Sequence, residues 1–203
     1  MSNPAKVTLS AFEAMLVNNS EWILTKHAVM QKAGDLLWLQ VPVINDVFIG
    51  PLKNDVPELA RVAPKISKGE RYRNLPWVIL DYPAVFSKTD VCALRTMFWW
   101  GNFISVTLHL SGKYKNAWQD ILATNLANTS EPFYISIGEE QWEHHFGEEN
   151  YAPVAGLDAT LRGKKIVQPS FIKIALKYDL GEWNNMDELL SNAYSSFAEL
   201  LEA

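Results

Sequence analysis

Two stretches of the chain alternate apolar and polar positions with the period of a β-strand. In Phe171–Tyr178, Ile172, Ile174, Leu176 and Tyr178 stand against Lys173, Ala175 and Lys177. In 96–110 the even positions Phe98, Trp100, Ile104, Val106, Leu108 and Leu110 are apolar. The odd positions there, Met97, Trp99, Phe103, Ser105, Thr107 and His109, are mixed. Period two puts successive side chains on opposite faces, so both stretches predict strands, with Gly101-Asn102 read as a bulge in the longer one. Trp77–Tyr82, bounded by Pro76 and Pro83, and Phe133–Ile137 read as two further strands. Polar alternation implies a half-solvated sheet face and hence antiparallel pairing.

Helical spacing governs the rest. Ser10-Ala-Phe-Glu13 is a capping box for a short helix ending near Asn18-Asn19. From Ser20 to Leu37 the residues Trp22, Ile23, Val29, Met30, Ala33, Leu36 and Leu37 share one face, and Lys26 falls inside it. Its long stem would carry the ammonium out of that stripe. Further helices are predicted over 116–126, over the acidic segment 139–146, and from Asn185 to the end, where Met186, Leu189, Leu190, Ala193, Tyr194, Phe197, Leu200 and Leu201 form a stripe. Proline removes backbone donors and favours extended neighbours, so 42–76 reads as a winding connection with one short helix starting at Asp55-Val-Pro-Glu58. The expectation is one α+β domain over 1–203: a helical N-terminal region (1–40), the Pro-rich connection (42–76) and a sheet-containing region (77–203). The sheet would have about four strands, mostly antiparallel, in the order β-β-α-β-α-β-α.

Composition narrows the function classes. A chain of 203 residues buries roughly 70% of its unfolded surface and needs no disulfide or metal staple. Its single cysteine, Cys92, can form no intramolecular disulfide, which fits a reducing compartment. Neither a secretory leader nor an apolar run of the ~18–20 residues that span a bilayer is visible. A cytoplasmic location and no membrane partner are therefore expected. The net charge of −5 argues against nucleic acid as a partner, since phosphate binding needs a collected basic face. Lys65, Lys68, Arg71 and Arg73 make the one local basic excess, diluted by Glu70, and read as a solvated loop. No phosphate loop, dinucleotide fingerprint, H-E-x-x-H or G-x-S-x-G elbow occurs, so no cofactor and no metal are expected.

The candidate chemistry lies on the strands. His109 ends the long strand on the face of Ser105 and Thr107, and imidazole is the usual general acid or base near neutrality. Asp81 interrupts an apolar strand and needs a cation, with Arg71, Arg73 and Arg95 as candidates. The adjacent Trp99 and Trp100 must point to opposite faces; Trp99 is expected to share a recess with His109 while Trp100 enters the core. On one straight strand Trp99 and His109 would lie about 33 Å apart at ~3.3 Å per residue. Asp81 and Arg95 are therefore the better partners for His109. In 139–149 the spacing pairs Glu140 with His144 one helical turn apart, on a solvated acidic helix that buries Trp142 and Phe146.

The leading expectation is a protein that binds a small molecule or a protein partner on the mixed face of 96–110, using Trp99, Ser105, Thr107, Arg71 and Arg73. One alternative is a cofactor-independent enzyme with His109 as general acid or base, assisted by Asp81 and Arg95. The other is an interaction protein whose segment 139–149 docks a basic partner.

Overall fold

Gly101, at φ +69°, turns what reads as one long strand into a hairpin. Glycine carries no Cβ penalty in that region. Trp99 and Phe103 pair directly across the turn, and the Asn102 side chain donates to the Trp100 carbonyl at 2.8 Å. No bulge is present at this point, and Trp99 and His109 sit at opposite ends of two paired strands.

The computed structural model describes residues 7–202. Its strands are β1 (Lys65–Tyr72), β2 (Leu75–Phe86), β3 (Val91–Trp99), β4 (Phe103–Ser111), β5 (Tyr134–Ser136), β6 (Tyr151–Pro153) and β7 (Phe171–Asp179). The helices are α1 (Ala11–Val17), α2 (Ser20–Ile44), α3 (Gly50–Leu52), α4 (Gly112–Asn128), α5 (Ala159–Val167) and α6 (Met186–Glu199). The strands form one antiparallel sheet in the order β1-β2-β3-β4-β7-β5-β6. The architecture is α+β as expected, but the sheet has seven strands rather than about four. Four of them precede α4, so the expected β-β-α-β-α-β-α order does not hold. The sheet begins at Lys65, inside the stretch read as a connection. No described helix is long and apolar enough to cross a membrane.

One face of the sheet carries the main core. Leu80, Leu94, Phe98, Ile104, Val106, Leu108, Ile174 and Leu176 point into it and meet α2, α4 and α6. Each such buried side chain stabilises by roughly 1.5–3 kcal/mol. Tyr194 of α6 reaches Thr96 of β3 through a buried 2.9 Å hydrogen bond, giving the one hydroxyl of that β3 face a partner.

The other face is covered too. β4 is buried at every position, where the alternation predicts a half-solvated surface. The cover is the loop 137–150, which joins β5 to β6 and closes on itself through Ile137 N–H to Asn150 O at 2.9 Å. Phe146 anchors it, stacked on Tyr151 at 4.6 Å and edge-on to Phe103 at 5.0 Å. The acidic helix expected over 139–146 is absent. Trp142, the two histidines and Phe146 instead pack on the sheet, and that tertiary contact outweighs the helical spacing.

Candidate functional site

Asp81 and Arg95 face each other across β2 and β3, and their neighbours Ile79 and Met97 leave them no other polar partner on those strands. Arg95 grips the carboxylate at both oxygens, Nε to Oδ1 at 2.7 Å and Nη2 to Oδ2 at 3.0 Å. Asp81 is 2% exposed, so this bidentate pairing is what makes a carboxylate tolerable there. The third guanidinium nitrogen, Nη1, lies 2.9 Å from His144 Nε2. Arginine only donates, so Nε2 must accept and the imidazole is neutral. Burial first, then the Arg95 charge, pushes His144 down to about 2.

A second group of contacts ties the loop to the sheet. The Tyr72 hydroxyl donates to Glu143 Oε2 at 2.8 Å and accepts from the backbone N–H of His144 (2.7 Å) and His145 (3.0 Å). His145 Nε2 lies 3.3 Å from the same Glu143 oxygen, and Arg73 Nε 3.7 Å from it. Lys173 of β7 donates to the Glu143 carbonyl. Burial, then Arg95, pushes Lys173 down to about 7, against Glu143 and Glu140, which raise it.

Beside this cluster lies a cleft of about 550 Å³, bounded by β1, β2, β3 and the loop. Asp81, Arg95 and His144 lie in its wall, with Tyr72, Trp77, Phe86 and Trp142 supplying aromatic surface and Lys65 and Arg71 adding charge. Trp77 lies against Gly69 of β1, where a Cβ would come within 2.6 Å of the ring; glycine is what lets the indole lie flat. Arg95 also sits 5.9 Å from the Phe86 ring centroid, and Phe86 meets Trp142 at 6.1 Å. A second, apolar groove of about 840 Å³ runs along α1 and the start of α2, lined by Leu16, Trp22, Ile23 and Trp100 among others.

The structure brings Asp81, Arg95 and Arg71 to the cleft and leaves the other expected residues elsewhere. Trp99, Ser105, Thr107 and His109 are buried beneath the loop, and none lines the cleft. Trp99 packs on Tyr72 and Phe103. Trp100 does not enter the core fully; it sits in the hairpin turn and stacks on Trp22 at 6.1 Å. Neither Asp81 nor Arg95 hydrogen-bonds His109, whose Nε2 has no partner. Its ring lies edge-on to Trp142 at 5.3 Å. Burial, with Lys173 and Arg95, pushes it down to about 3, against the Gln141 side chain, which raises it. At neutral pH it is a poor base. The expected Glu140–His144 pair is also absent, because Arg95 takes His144 and Glu140 accepts from the Trp142 backbone N–H. Arg73 pairs with Glu143 rather than Asp81.

The cleft also holds Trp77 and Tyr72, which were not expected in a site, and His144, which was expected to pair with Glu140. Trp77 was within reach, since 77, 79 and 81 share one face of a strand. His144 was not, because no local pattern announces a loop that folds across forty-nine residues of sequence to meet Arg95. No family model, no curated protein and no solved structure matches this chain.

Proposed function

We propose that the protein binds a small molecule with a flat ring and a negatively charged group, in the cleft between β1–β3 and the loop 137–150. The observation that carries this reading is the pairing of aromatic walls with uncommitted cations. Lys65 and Arg71 line the cleft and form no ion pair among the described residues. In a chain of net charge −5, two such cations beside four aromatic rings favour an anionic, stackable ligand. The cleft volume lies within the roughly 300–1,000 Å³ of small-molecule sites. Arg95 is less available, since Asp81 and His144 occupy it; its role is to hold the wall in shape.

Trp77 and Trp142 make the test simple. Titration with a panel of aromatic carboxylates and aryl phosphates should change tryptophan fluorescence for some members, and Arg71→Ala should weaken those at least tenfold. A panel with no member binding below millimolar concentration, or full affinity in both Arg71→Ala and Lys65→Ala, would overturn the reading.

A further inference from the structure

A row of polar side chains crosses the sheet beneath the loop 137–150. His109 on β4 lies directly opposite Lys173 on β7, and Ser136 on β5 lies opposite Tyr151 on β6. Because Ile135 pairs with Ile174, the next step of that antiparallel ladder sets Ser136 beside Lys173. Directly opposed residues hold their Cβ atoms about 4.5–5.5 Å apart, so the four side chains stand shoulder to shoulder on one face. Lys173 Nζ is 5.1 Å from the Tyr151 ring centroid. The exposures are 3% for His109, 1% for Lys173, 6% for Ser136 and 3% for Tyr151.

Three of these residues present a buried polar atom without a partner: His109 Nε2, Ser136 Oγ and Tyr151 Oη, the last with the Thr107 side chain beside it but no hydrogen bond of good geometry. Such orphans are rare because each has lost its water. Lys173 makes one hydrogen bond, to a backbone carbonyl, and no ion pair among the described residues. The two carboxylates whose charge it feels, Glu143 and Glu140, are engaged elsewhere. Glu143 takes Tyr72 and His145, and Glu140 takes the Trp142 N–H. A buried cation with no counter-charge is unfavourable.

All four groups can donate: the ammonium, two hydroxyls, and Nε2–H in one imidazole tautomer or in the charged ring. No carboxylate stands in the row. A row of donors on one sheet face, holding a buried ammonium that forms no ion pair among the described residues, is the complement of an oxyanion. We propose that Lys173, His109, Ser136 and Tyr151 form a buried site for a small oxyanion, a phosphate or carboxylate group, closed over by the loop 137–150. None of the four lines the cleft, so the site stands whether or not the cleft binds a ligand. Entry requires the loop to lift at Glu143, where Lys173 is attached to it.

Thermal unfolding at fixed ionic strength tests this, with inorganic phosphate, acetate and phenyl phosphate as probes at low millimolar concentration. An anion that binds only the folded chain raises Tm in proportion to the logarithm of its concentration, by about 5 °C at a hundredfold excess over Kd. A response to inorganic phosphate or acetate marks a free ion. A response to phenyl phosphate alone marks the charged group of a larger ligand. Either supports the site if Lys173→Met abolishes it, and without anion that variant should melt no lower than the wild type. Ser136→Ala and Tyr151→Phe, which keep the fold's volume, should each shrink the response. The proposal is overturned if no probe shifts the melt, if Lys173→Met responds as the wild type does, or if both milder variants leave the response unchanged.

Discussion

His144 Nε2 accepts a hydrogen bond from Arg95 Nη1 at 2.9 Å, and that one contact fixes the histidine's charge, its tautomer and the position of the loop that carries it. The guanidinium is itself fixed by Asp81. A chain of three residues from two strands and a loop thus sets the wall of the cleft.

The first consequence concerns acid. In the unfolded chain an imidazole takes up its proton near 6.5. In the fold His144 does so only at about 2 and His109 at about 3. Below pH 6.5 the unfolded state therefore holds more protons, and stability falls as pH drops. It is fully present above 6.5. Each histidine contributes a slope of up to about 1.4 kcal/mol per pH unit. His144→Gln keeps an acceptor for Arg95 and should flatten the stability–pH curve between pH 6 and 4 by about that amount. Urea titrations across this range measure it; an unchanged slope would mean the histidine is already charged in the fold.

Asp81→Ala should cost about 3 kcal/mol, because it leaves Arg95 partly buried without its carboxylate. The double variant Asp81→Leu, Arg95→Met should recover much of that loss, since it removes both charges together. Denaturant midpoints of the single and double variants decide the matter. A single-variant loss below about 1 kcal/mol would show that the pair is solvated.

The sequence made some of this visible and hid the rest for identifiable reasons. Ser10 and Glu13 form the reciprocal capping box their spacing predicts, and the stripe running through α6 is buried as its period implies, with Leu189 alone half-buried. The Asp81–Arg95 pair follows from the cost of a lone carboxylate in an apolar strand. β1 escaped notice because it is an edge strand, and its Lys65 and Lys68 need only backbone pairing with β2. The mixed face of β4 looked half-solvated because Ser105, Thr107 and His109 are polar, yet a loop rather than water covers them. That loop has no regular period to read. Its anchors, Tyr72, Arg95, Tyr151 and Lys173, are scattered along the chain.

Lys26 pairs with Glu70 of β1, where its position inside an apolar stripe predicted only an escape by its stem. The Glu70 side chain is 59% exposed, and ion pairs open to water contribute about 0–1 kcal/mol. Lys26→Met should therefore change stability by less than about 1 kcal/mol. A loss beyond ~3 kcal/mol would identify a desolvated pair instead.

Removing α6 should abolish cooperative unfolding. Met186, Leu190, Ala193, Tyr194 and Phe197 are buried, in a helix that packs on α2 and β4, and Tyr194 partners Thr96. A chain ending at Asn185 should be insoluble or should lose its sharp thermal transition. A soluble product melting as sharply as the full chain would contradict the packing described.

The most direct measurement of ligand binding in the cleft is the set of indole N–H resonances of the eight tryptophans, followed during titration with the tightest aryl anion of the panel. Trp77 and Trp142 line the cleft, whereas Trp22 and Trp100 line the apolar groove. Saturable shifts at Trp77 and Trp142, with Trp22 and Trp100 unmoved, are the predicted result. Shifts confined to Trp22 and Trp100 would place the ligand in the groove and contradict the cleft as the binding site.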